Sequence, residues 1–227
     1  MTQQERYLIT TADELTWKFD QPVIFLGEWC LLHERKHIWK KLDYIVAKPY
    51  GLGRPKKDAD FFEVNRLDKK LFPEFCAILN QHFNSNYSIR FWQIILGHWF
   101  RHILQILFNR IKTLKQCFKH YKICGSTIYD NKNLTLSTID HNSLYYVCND
   151  DKWNNLLNAK IIKFLDNDFS KKFLKLENKT KVNQALENKF LSNRQSFKMK
   201  IFKWCLNKYN KISKKYLKDD DGFIINS

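Results

Sequence analysis

Apolar residues in the first fifty positions fall in short unbroken runs. Tyr7–Thr10 (YLIT), Val23–Gly27 (VIFLG) and Tyr44–Lys48 (YIVAK) are β-rich and bounded by turn formers, the third by Pro49 with Gly51 and Gly53 beyond it. Continuous rather than alternating apolar character predicts strands covered on both faces, as in a parallel sheet. Between the first two runs, Thr11 precedes ADELTW, where Asp13 and Glu14 suit the first turn of a helix. Between the second and third, Leu31, Leu32, Ile38, Trp39 and Leu42 recur at helical spacing. Strand, helix, strand, helix, strand is a doubly wound signature. The first connector is short for a crossover helix, which leaves the pairing order open.

Longer elements follow. Gly51–Phe62 (GLGRPKKDADFF) reads as a polar loop, and its G-x-G lacks the third glycine of a dinucleotide fingerprint. Residues 67–83 read as a helix that Pro73 starts or kinks. Ser88 then caps the longest element, 89–121, about 50 Å if unbroken. Its first half is apolar nearly all round, which predicts burial. Arg90, His98, Arg101, His102, Gln105 and Arg110 interrupt it too often for a membrane span. Ser126–Asp130 (STIYD) predicts a fourth strand and Ser143–Cys148 (SLYYVC) a weaker fifth or an extended edge. Residues 149–165 predict a capped helix burying Trp153, Leu156, Leu157, Ile161, Phe164 and Leu165. Beyond Asp166 come Lys/Asn-rich helical pieces, one with an apolar stripe through Met199, Phe202, Leu206 and Tyr209. The expected fold is therefore α/β: a Rossmann-like parallel sheet flanked by helices, with a long buried helix and a helical C-terminal segment. The expected division is a Rossmann-like domain over 1–166 and an extension over 167–227.

Composition sharpens this little. The 227 residues, 44% of them hydrophobic, suffice for a real core. The six cysteines (Cys30, Cys76, Cys117, Cys124, Cys148, Cys205) include no C-x-x-C pair, so zinc-ribbon and disulfide-scaffold readings fail and reduced thiols in a cytosol fit. The opening MTQQERYLITT carries no pattern of a secretory signal. The formal charge of +16 is less telling than it looks, because lysine outnumbers arginine 31 to 8 and asparagine reaches 20. Residues 151–227 hold 18 basic and 8 acidic side chains, a basic tail rather than a focused nucleic-acid footprint.

The blocks RYLITTADELTW and QPVIFLGEWC, followed by YSIRFWQIILGHWFRHILQILFNR and more weakly DDKWNNLLNAKII, resemble a family of transferases found with bacterial O-antigen and surface-polysaccharide genes. The likeness covers about the first 165 residues. It implies a glycosyltransferase-like enzyme of two Rossmann-like domains with the active site between them, a GT-B-like arrangement. It further implies that this chain corresponds to the N-terminal, acceptor-side half of longer relatives. The partners implied are a sugar or lipid-linked acceptor, and a nucleotide-sugar donor only together with a C-terminal half. His98 stands where relatives are expected to carry proline, so it inherits no role from them.

Candidate groups cluster at strand ends, where open α/β sheets collect ligands. Thr10 and Thr11 follow the first strand beside a possible helix start that would welcome a phosphate or sugar hydroxyl; they serve equally as caps. Glu28, next to Trp29, is the candidate catalytic base, since a carboxylate against an indole can have a raised pKa; a salt-bridged surface glutamate is the alternative. Arg90 is a candidate anion contact, and Trp92 and Trp99 can stack on sugar or pack in the core. His98 is carried as a substrate-side candidate; its i, i+4 spacing to His102 can grip a metal, but without H-E-x-x-H no metal is expected. No cofactor is expected either. The rival reading is a non-catalytic basic adaptor on an anionic membrane surface or nucleic acid. Peripheral contact of a cytoplasmic protein with the inner membrane face fits both readings, whereas nucleic acid is not expected.

Overall fold

Five parallel strands form one sheet in the order β3-β2-β1-β4-β5. They are β1 (Arg6–Ile9), β2 (Val23–Phe25), β3 (Tyr44–Val46), β4 (Ile123–Asp130) and β5 (Phe173–Glu177). The computed structural model describes residues 4–130, 136–138, 140–166 and 168–177, all within one compact unit, Met1–Val182. Tyr7, Leu8 and Ile9 pair with Val23, Ile24 and Phe25 on one side of β1, and Tyr7 and Leu8 pair with Gly125 and Ser126 on the other. The chain thus winds outward from β1 through β2 to β3, returns, and continues through β4 to β5. This is the Rossmann-like strand order, with its topological switch between β1 and β4.

Burial on both faces explains the unbroken apolar runs. Tyr7, Ile9, Val23 and Phe25 face a cluster with Trp17 and Cys30, while Leu8 and Ile24, pointing the other way, are also fully buried. Trp17 meets Phe25 edge-on at 5.1 Å between ring centroids, and Phe25 meets Tyr44 at 5.6 Å. The connectors here are slight: 3-10 turns and one short helix, α1 (Lys36–Trp39). That is why the first crossover looked too short for a helix.

The return from β3 to β4 is a hairpin of two long helices, α2 (Arg54–His82) and α3 (Ile89–His120). Ser88 caps α3, its side chain accepting from the Phe91 N–H at 3.2 Å. Phe72, Phe75 and Phe100 stack in the hairpin's own core with Val64, Cys76, Trp92 and Leu104. The long helix is present as expected, but its first half buries one stripe only: Ile94 is 71% and Ile95 55% exposed. Two further helices, α4 (His141–Val147) and α5 (Asp151–Leu165), complete the layer.

Several expectations are corrected. The polar stretch after Gly53 is not a loop but the start of α2: Gly51 and Gly53 take φ of +79° and +88°, Pro55 sits in the first turn, and Pro73 lies inside the helix. SLYYVC is helical, not a strand, because Asp140 and Ser143 form a reciprocal capping box ahead of it. Phe164 is exposed, since the buried face of α5 is rotated toward Asn154, Asn155 and Asn158. The chain beyond Asp166 first adds β5, paired with β4 from Ser126↔Phe173 to Asp130↔Glu177, so the sheet runs past the expected boundary. The helical pieces expected beyond Glu177 lie outside the described residues. Among the described residues, no helix is long and apolar enough to cross a membrane.

Asn155 ties α5 to the sheet. It accepts the Tyr129 N–H at 3.1 Å and donates to the Thr127 carbonyl at 2.9 Å, fully buried. Asn155→Ala strands two buried backbone groups and should cost about 2–4 kcal/mol. Urea denaturation checks this as a lowered midpoint at constant slope. Asn149→Ala, which removes one exposed bond to Tyr145, should change stability by less than about 0.5 kcal/mol.

Candidate functional site

β1 pairs with β2 on one side and β4 on the other, so its carboxyl edge is the topological switch point, where open α/β sheets form a ligand crevice. Its floor is the backbone after β1. The Thr10 carbonyl accepts the Trp29 indole N–H at 3.2 Å, the Thr11 carbonyl accepts that of Trp17 at 3.1 Å, and the Ala12 N–H donates to Asp151 at 3.1 Å. Three anchors thus fix three successive residues. The threonine side chains are buried, and among the described residues the Thr11 hydroxyl has no hydrogen-bond partner. The helix start expected there is a single 3-10 turn, Glu14–Thr16, whose first free N–H is already taken by the Asp13 side chain.

Trp29 comes from the GEWC block that follows β2. A Cβ on Gly27 would lie 2.0–2.4 Å from three carbons of the Trp29 ring, so the indole folds back across a space only glycine leaves. On α3, the Arg110 guanidinium lies 5.6 Å from the centroid of that ring. Its Nη2 donates to Asn154 Oδ1 at 3.2 Å, and its buried Nε has no partner among the described residues. Among the described residues no carboxylate forms an ion pair with Arg110, and burial depresses its pKa. An unpaired, half-buried cation costs free energy that an anionic ligand would recover.

Opposite stand acids. Asp150 caps α5, accepting the Trp153 N–H at 2.8 Å. The half-buried Asp151 carboxyl has a raised pKa, first through burial and then through the charges of Asp13 and Asp150. The Tyr129 hydroxyl donates to Asp13, and burial together with that acid pushes its pKa far up. The charges of both Asp151 and Arg110 reach the Cys30 thiol, which burial pushes up to about 12. The crevice therefore sets a cation and a protonatable carboxyl around one strand end.

The structure gathers some of the sequence candidates and separates others. Thr10, Thr11, Glu28 and Trp29 meet at the strand ends, Glu28 exposed and immediately before Trp29. Arg90 and Trp92 sit about 30 Å up α3 from Arg110. Arg90 is exposed and bonds Gln93, while buried Trp92 donates to Asn80 at 2.9 Å within the hairpin. His98 is exposed and joins His102 and His141, with ring centroids 4.3–5.1 Å apart. Burial, then the neighbouring His98 and His141, lowers the His102 pKa. Trp99 donates to Thr138 and faces a cavity of about 720 Å³ lined mainly by Ile95, Leu96, Ile103, Leu107 and Leu157. The sequence reading missed Arg110, Asp151 and His141 as site residues.

A family model matches residues 6–227 of the chain. The chain belongs to the LIC12162 family of transferases. Neither the curated proteins nor the solved structures contain a match. In this LIC12162 family transferase the raised pKa of Asp151 sets a stability signature. The fold holds that proton more tightly than the unfolded chain, whose value is near 3.8. The contribution is therefore present below that pH and lost as pH rises through the higher folded value. Asp151→Asn retains an acceptor for Ala12 and removes the charge. It should be more stable than the parent at neutral pH, the gain vanishing in acid, as urea melts across pH will report. Gly27→Ala should expel the Trp29 ring, seen as a red-shifted emission difference that is absent in a Trp29→Phe background.

Proposed function

We propose that this transferase is glycosyltransferase-like and acts in surface-polysaccharide (O-antigen) assembly, receiving a lipid-linked, diphosphate-bearing acceptor at the β1/β4 crevice. A nucleotide-sugar donor would be gripped by a second Rossmann-like half. The observation that carries this reading is Arg110: a half-buried guanidinium over the Trp29 ring, without an ion pair among the described residues. A diphosphate offers such a group bidentate charge-assisted hydrogen bonds. The apolar cavity supports the lipid part, because Leu107 and Leu157, which line it, stand one turn from Arg110 and Asn154 on their helices. A head group on Arg110 would leave its hydrocarbon facing that seam.

In the transfer step the acceptor hydroxyl attacks the anomeric carbon, the nucleotide leaves with the bonding pair, and a carboxylate takes the hydroxyl proton. Two carboxylates are candidates for that role. Glu28 stands exposed beside Trp29; Asp151 is half-buried against the strand end, and burial raises its pKa.

Equilibrium binding of a short prenyl diphosphate to the 227-residue chain tests the reading. It should bind more tightly than inorganic pyrophosphate or the matching prenol, and Arg110→Met should weaken it about tenfold or more. Equal affinity for the parent and Arg110→Met would overturn it. So would binding that falls steeply with salt and follows the tail lysines, the behaviour of a basic surface adaptor.

A further inference from the structure

His98, His102 and His141 converge without any sequence motif to announce them. His98 and His102 stand one turn apart on α3, and His141 is the first residue of α4, brought opposite by the capping box of Asp140 and Ser143. One ring nitrogen from each lies within 4.8 Å of the others. Among the described residues, no hydrogen bond joins the three rings to one another, and His141 Nδ1 is buried with no partner at all. Packed merely as aromatic neighbours, the rings would leave that atom unsatisfied at a cost of about 1–3 kcal/mol. Tyr145, one turn after His141, closes the side of the cluster with its hydroxyl 3.1 Å from His102 Nδ1.

We propose that these three histidines form a binding site for a divalent transition metal, best suited to Zn²⁺, that pins α4 to α3. Tetrahedral coordination at about 2.0–2.1 Å needs ligand atoms about 3.4 Å apart, so the three nitrogens, all within 4.8 Å of one another, need only close in slightly. The donor set is three imidazole nitrogens with no carboxylate, since the nearest acid, Asp140, is engaged in capping. Such a set selects zinc and its neighbours over the oxygen-seeking Mg²⁺ and Ca²⁺. His98 is exposed, so the fourth position opens to solvent beside the Tyr145 hydroxyl. His141 and Asp140 also line the apolar cavity, so an occupied site fixes part of its wall. The site stands independently of the acceptor reading, because its ligands lie apart from Arg110 and Asp151.

Titration of the purified chain with Zn²⁺ and Co²⁺ tests the site. One equivalent should bind, with a rise in melting temperature, and Co²⁺ should give the visible bands of tetrahedral nitrogen coordination. His141→Ala should weaken binding on the order of a hundredfold. His98→Gln, an exposed change that leaves the fold intact by circular dichroism, should do the same. Affinity unchanged in His98→Gln, no saturable binding by the parent, or a thiolate charge-transfer band from Co²⁺ that places the ion on cysteine would each overturn the proposal.

Discussion

Parallel pairing of β1 to β2 on one side and to β4 on the other is the constraint from which the rest follows. Parallel neighbours cannot be joined by a tight turn, so each pairing demands a crossover. At the carboxyl end of β1, between β2 and β4, the backbone passes out of the ladder. That end would expose the polar groups of Thr10, Thr11 and Ala12 at the edge of a dry sheet. The fold answers with side chains from three separate connections: Trp29 after β2, Trp17 before it, and Asp151 at the head of α5. Satisfying the buried backbone and building the crevice are one act.

The same logic explains the unequal return path. The connection from β3 must carry the chain back across the sheet, and α2 and α3 overshoot it to form a hairpin with a core of its own. Asn80 clasps that hairpin. It accepts from the Trp92 indole and the Tyr87 N–H and donates to the Tyr87 carbonyl. Trp92 thus has a structural partner at the hairpin, away from the crevice, and the same helix delivers Arg110 to the sheet edge. Distance along one helix divides its labour.

Strands and class were legible because fully buried parallel strands are apolar without alternation, and YLIT, VIFLG and YIVAK show that plainly. SLYYVC was not, since its aromatic, β-branched character is local while its helix is set by Asp140 just ahead. The start of α2 hid behind Gly51, Gly53 and Pro55, residues that signal a turn equally well as the two left-handed steps before a helix. At the site, Trp29 and the threonines were visible as strand-end residues. Arg110 was not, because a single basic residue in an amphipathic helix carries no mark of whether it meets water or an indole. His141 was invisible for a topological reason: its partners precede it by some forty positions, and only the capping box that turns SLYYVC into a helix brings it across.

One physical theme unites the crevice and the seam beside it. Arg110 and Asn154 bridge α3 to α5, and one turn away on each helix Leu107 and Leu157 begin a mainly apolar lining. A cation held at the boundary of a dry groove is more strongly coupled to an anion than one in water, because the local dielectric is lower. Trp29 lies beneath Arg110, its ring seated against Gly27 where a Cβ would clash. Buried asparagines on α5 keep this boundary polar without adding charge, leaving Arg110 unneutralised from within. The nearby acids cap α5, hold Ala12 or accept from Tyr129. Among the described residues, the unpaired charge is therefore a property of how the neighbouring acids are committed.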